Sequence, residues 1–193
     1  MITFERSKDY ALIRQIMTHS RIWRHITDDF SPSHEDFEPI QNDAIWYVMA
    51  KKYEVIIGLW VLIPDNHICW KIHTCLLPVA WGGFGLEAAL QLPEWLWEHT
   101  ECVRIITEVP EYNRVALKFA KAANMQQFGV NERAYMKHGR LQNLILLGIS
   151  KPIVASASPD FASNATRISA NADTRQELNL QSLAPEGIIA CQQ

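Results

Sequence analysis

One run of residues has the makings of an anion site. Val79-Ala80-Trp81-Gly82-Gly83-Phe84-Gly85-Leu86-Glu87 follows an apolar segment that ends at Pro78, and it leads into a helical apolar spacing. A strand that enters a helix through glycines exposes first-turn backbone N–H groups that have no partner inside the helix. Those groups and the helix dipole attract phosphate and other anions. Glycine suits the turn because it adopts positive φ and lets an anion lie close to the backbone. A glycine cluster also serves simply to join strand to helix, and the cluster alone does not separate the two uses. A second set, His67, Cys69, His73 and Cys75, has zinc-ligand types on one face of an extended strand. Distance excludes it. At about 3.3 Å per residue the outer two stand roughly 26 Å apart, whereas zinc ligands lie about 2.0–2.3 Å from the ion. No metal is expected.

A sheet must carry these residues. Ile2 to Arg6 reads as a first strand. Ser7 is placed to cap a helix whose apolar stripe is Leu12, Ile13, Ile16 and Met17. Arg21 to Phe30 has a second helical spacing, broken at Ser31-Pro32-Ser33, and an acidic, proline-punctuated loop follows to Asn42. Ala44–Ala50, Val55–Ile63 and His67–Leu77 read as three strands of an antiparallel meander, with Gly58 at a bulge. Gly85 to Glu98 is helical, and Pro93 inside it should kink or split it. Cys102 to Val109 is nearly all apolar, as in a central strand covered on both faces. Asn113 to Ala123 is helical. Met125–Lys137 and Gln142–Ser150 are two closing strands. The alternation of strand and helix implies right-handed crossovers and local parallel pairing. The expected class is α/β (α+β): a mixed, largely antiparallel sheet of six or seven strands flanked by helices.

The composition narrows the function classes. A net charge of −3 over 193 residues argues against a general nucleic-acid or membrane-surface binder. Four cysteines without a CxxC pair fit reduced intracellular thiols. The N-terminus carries charge from Glu5 onward and lacks the apolar region of a signal peptide, and no apolar run reaches transmembrane length. A cytoplasmic protein is expected. Residues 151–193 differ from the rest: they hold no Trp or Tyr and one Phe, and Ala, Ser and Asn dominate. Such a segment buries too little apolar area to offset its ordering entropy. It reads as a tail beyond a 1–150 domain, with Gln176 to Leu183 as its one helical stretch.

The order of elements and motifs over residues 1–150 resembles the GNAT superfamily of acyl-CoA-dependent acetyltransferases. The glycine motif of that family has the form [Arg/Gln]-x-x-Gly-x-[Gly/Ala], and Ala80-Trp81-Gly82-Gly83-Phe84-Gly85 fits it at Gly83 and Gly85, with Ala80 at the leading position. The family's Asn-x-x-Ala is matched by Asn113-Arg114-Val115-Ala116, and Arg140 to Lys151 resembles its closing hairpin strand. The resemblance implies acetyl-CoA as co-substrate and an amine as acceptor. It implies that N–H groups near Leu76 and Leu77, on a strand splayed from its neighbour, hold the pantetheine and polarise the carbonyl. Gly82, Gly83, Phe84 and Gly85 would hold the diphosphate, and Asn113 would face the pantetheine arm or a water. The family often has a Tyr seven residues after that Asn; this chain has Ala120.

Acetyl transfer to an amine also needs a proton acceptor. His73, whose ordinary pKa suits neutral pH, and Glu108, at the end of the neighbouring strand, are the candidates. The alternatives are a hydrogen-bonded sheet histidine and a solvated strand-end carboxylate. Arg14, Arg21, Arg24 and His25 stand where the family's acceptor side would be, either to meet an acidic substrate or a phosphate or as a solvated basic face. Trp23 and Trp46 would wall that side or pack in the core. A competing function keeps the fold with reduced catalysis, as in phage-encoded GNAT-like proteins of head or virion assembly, with the tail 151–193 binding a protein partner. Homo-oligomers are compatible with either.

Overall fold

The computed structural model describes residues 1–153; the tail beyond them, with Gln176 to Leu183, lies outside the described residues. The elements belong to the compact unit that contains Met1–Lys151. Seven strands form one sheet: β1 Ile2–Ser7, β2 Trp46–Lys52, β3 Val55–Pro64, β4 Cys69–Leu76, β5 Arg104–Pro110, β6 Gln126–Lys137 and β7 Arg140–Ser150. Four helices flank it: α1 Tyr10–Met17, α2 Ser20–Ile26, α3 Phe84–His99 and α4 Arg114–Ala122.

The sheet order is β1-β2-β3-β4-β5-β7-β6. β4 and β5 are its one parallel pair, and the other neighbours are antiparallel. The β4–α3–β5 crossover therefore delivers a parallel neighbour, as the alternation predicts. The next one, through α4, skips a place: β7 inserts between β5 and β6. The sequence carries the reason. β7 has the run Leu144-Ile145-Leu146-Leu147, which wants neighbours on both sides, while β6 is mostly exposed along Gln126–Ala134 and suits an edge.

Each face of the sheet buries its own core. Trp60, Ile72, Leu92, Leu96, Ile105 and Leu147 pack under α3 and α4. Ile13, Met17, Ile22, Ile26, Met49 and Leu59 pack under α1 and α2. Alternation sorts β4 accordingly: Trp70 and Ile72 face α3, and Cys75 faces α1 and α2.

Three expectations need correction. Asp9, not Ser7, caps α1, its carboxylate accepting the Leu12 N–H at 3.0 Å; the Ser7 hydroxyl accepts the Asp9 N–H at 3.1 Å. The second helix stops at Ile26, and Thr27 is already extended. Pro93 does not split α3, which runs on to His99. Its ring is buried against the core, and that burial offsets the single hydrogen bond that proline removes. Among the described residues no helix is long and apolar enough to cross a membrane, and no cluster of His, Cys, Asp and Glu could hold a metal.

Candidate functional site

β4 and β5 pair only from Cys69/Arg104 to Lys71/Ile106. Beyond that, β4 stays with β3 as far as Leu76, and β5 stays with β7 as far as Pro110, so the two strands diverge. At the fork the buried Thr107 hydroxyl donates to the Ile72 carbonyl at 3.0 Å, which satisfies an acceptor that the ladder has left. The gap opens into a cleft of about 540 Å³, within the usual range for small-molecule sites. Leu76, Ala116 and Phe119 supply apolar lining, and α2 adds Ile22 and Ile26.

The backbone of the splayed strand is set from behind. The register between β2 and β3 shifts so that Ile57 has no partner, and Gly58 sits beside this bulge opposite Leu76. The Leu77 N–H donates to the Ile57 carbonyl at 2.9 Å. Leu77 is therefore committed to β3 and is not free to hold a pantetheine chain, which corrects the expectation for that residue. The same bond makes Gly58 and Leu76 a non-hydrogen-bonded pair, so the Leu76 N–H and C=O face the gap.

After Leu77 the chain makes a single 3₁₀ turn, Pro78–Ala80, and then the glycine turn. Gly82 has φ +93° and Gly83 φ +147°, conformations that side chains with a Cβ rarely adopt. Gly83 caps α3 without a side-chain bond, so the first-turn amides of this helix have no side-chain partner. Gly85 sits in close contact instead: a Cβ there would lie 2.8 Å from Leu76 Cδ1, the end of a side chain, and 3.3 Å from the Ala80 carbonyl oxygen. Gly82, Gly83, Gly85 and Leu76 all line the cleft. The Phe84 side chain does not; its ring lies 5.4 Å from the Lys52 ammonium. Ala80 is buried and apolar.

Asn113 also lines the cleft, as the cap of α4, and its Oδ1 accepts the Ala116 N–H at 3.1 Å. That leaves its amide NH₂ for a ligand. Ala120 is buried and has nothing to offer in place of a phenol.

The two predicted proton acceptors are not in the cleft lining. His73 shares the sheet face of Cys75, is 1% exposed, and neither ring nitrogen has a hydrogen-bond partner among the described residues. Burial, with a smaller push from Lys71, lowers its pKa to about 3. A base must reach the proton it takes, so His73 is a core histidine and not the acceptor expected from its ordinary pKa. Glu108 lies two residues past the last parallel pair, its carboxylate 3.1 Å from the Lys71 ammonium.

α2 is tied down across the top of the sheet. The Asp29 carboxylate accepts the His138 and Gly139 N–H groups at 2.8 and 2.7 Å, which lowers its pKa, the Gly139 bond contributing most. The Tyr135 hydroxyl donates to the Thr27 carbonyl at 2.6 Å, and the Lys137 ammonium donates to the same oxygen. These bonds and Thr107 went unread in the sequence. Thr107 did leave a trace, a hydroxyl between Ile105 and Val109 on a covered face.

The chain matches no protein-family model and no curated protein by sequence. Its fold is matched by solved structures. A spermidine N-acetyltransferase from Vibrio cholerae, in complex with CoA and spermine, superposes with a TM-score of 0.61 at 18% identity, over 78% of this chain and 95% of that one. A chimera of the Vibrio cholerae enzyme and hSSAT gives 0.64 at 17% identity, over 77% and 95%. A ribosomal-protein-alanine N-acetyltransferase from Brucella melitensis gives 0.58 at 13%, over 77% and 99%. At these identities the likeness establishes the architecture alone: the described sheet and helices have a GNAT-like fold.

Proposed function

We propose that this chain transfers an acetyl group from acetyl-CoA to an amine. The observation that carries the reading is the cleft at the β4–β5 fork, where the gap-facing Leu76 amide, the turn Gly82–Gly83 and the Asn113 amide line one space. A CoA thioester would supply the acetyl group. In this reading the Leu76 N–H polarises the thioester carbonyl. Gly82, Gly83 and the α3 amides hold the diphosphate. Asn113 meets the pantetheine amides, and the apolar floor excludes water. That one matched structure holds CoA and spermine supports an acyl-CoA donor and an amine acceptor.

Glu108, on the diverging strand β5 and 3.1 Å from the Lys71 ammonium, is retained as the proton acceptor, taking the amine's proton through a water because its side chain is not part of the cleft lining. Glu108→Gln should lower kcat by about 10²–10⁴-fold while CoA affinity stays within twofold of the native value. Calorimetry with CoA tests the reading as a whole: micromolar binding is expected, and no heat at millimolar CoA would sink it. The alternative, an assembly protein of reduced catalysis, rests on Ala80 and Ala120 and on the tail 151–193, nearly all of which lies outside the described residues.

A further inference from the structure

The glycine side of the cleft offers partial charges only. Backbone amides are neutral, and Ala80 is buried and apolar. A phosphoryl group drawn from water against amides alone would keep a full charge without a counter-ion. The α2 side of the same cleft has one. Arg21 and His25, one turn apart on α2, line the same cleft as Trp81, Gly82 and Gly83. Among the described residues of that lining Arg21 is the one permanent cation, and no carboxylate is present.

Neighbouring cations are engaged: Arg14 with the Phe37 and Glu35 carbonyls, Arg24 with His25, Lys137 with Thr27. The Arg21 guanidinium has no partner among the described residues; its backbone N–H is bonded to His19. His25 adds a donor, not a charge. Its Nε2 accepts from Arg24 Nε at 3.1 Å, and burial, then Arg24 and Lys137, lower its pKa.

We infer that Arg21 supplies the positive charge for a phosphoryl group held in this cleft, closing on it from α2 while the glycine turn faces it from the other side. That the group belongs to CoA rests on the proposed function; the anion site itself does not.

Calorimetry on the full chain, Arg21→Ala and Arg21→Lys, each with CoA, pantetheine and inorganic pyrophosphate, tests this. Arg21→Ala should weaken CoA and pyrophosphate at least tenfold and leave pantetheine unchanged, and Arg21→Lys should recover part of the loss. Arg21 is exposed, so unchanged thermal unfolding is expected of both variants. Equal CoA affinity in native protein and Arg21→Ala overturns the inference and leaves the acyl-CoA reading intact. So does a parallel loss of pantetheine binding, which would report a deformed cleft. If the native chain binds pyrophosphate but not CoA, and Arg21→Ala loses it, the acyl-CoA reading falls and the anion site stands, with free phosphate as its ligand. Binding of neither overturns both.

Discussion

Gly58→Ala should cost about 3 kcal/mol of stability and at least a tenfold loss of CoA affinity. A Cβ on Gly58 would lie 2.5 Å from the Cys75 carbonyl oxygen and 2.8 Å from the Leu76 Cα. Both are backbone atoms of the central strand β4, so neither can swing aside as a side-chain end would. The strands must part at that point. Parting them breaks the Leu77 N–H bond to Ile57 and turns the Leu76 amide away from the gap. Stability and binding therefore fall together, through one displacement. Gly129→Ala is the control: its Cβ would meet only the tip of the Leu146 side chain, at 3.2 Å, so the change should stay below about 1 kcal/mol. Urea unfolding and CoA titration of both variants measure this. A Gly58→Ala protein within about 0.5 kcal/mol of native would mean that the bulge does not hold the fork.

Much of this architecture was legible because periodicity reports burial directly. The three-strand meander, the four helices and the closing hairpin all follow from spacing. What spacing does not report is which side of a strand a long-range neighbour occupies. His73 and Cys75 alternate with Ile72 and Thr74, so their shared face was readable. That this face is completely covered at His73 depends on how the chain returns over the sheet. Leu77 illustrates the same limit within the backbone. Its residue type says nothing of a bulge twenty residues earlier, yet the bulge decides where its N–H points. The glycine turn was readable because positive φ restricts residue choice locally. Arg21 stood out in sequence as one of four basic residues placed either to meet an acidic substrate or a phosphate or to form a solvated face; that it lines the same cleft as the glycine turn is a tertiary fact.

His73 makes a further prediction, on stability rather than catalysis. In the folded protein its imidazole stays neutral down to about pH 3 because it is buried, with Lys71 as a minor contributor. Unfolded, it takes up a proton near its ordinary value of about 6.5. Above pH 6.5 neither state is protonated and His73 contributes no pH dependence. As the pH falls from 6.5 towards 3, the unfolded chain binds a proton that the native state refuses, and stability is lost throughout that window. At about 1.4 kcal/mol per pH unit, the loss between pH 7 and pH 4 is roughly 3 kcal/mol. Asp29, Asp43 and Glu87, whose pKa values are lowered by their hydrogen bonds, add acid sensitivity of their own. His73→Leu leaves those groups in place, so the difference between the two proteins isolates the histidine. Urea unfolding from pH 7 to pH 4 should show the native curve falling about 3 kcal/mol further than the variant's. Parallel curves, or an NMR titration of His73 above pH 5 in the folded protein, would show that water reaches the ring. That result would return His73 to the list of proton acceptors for the transfer.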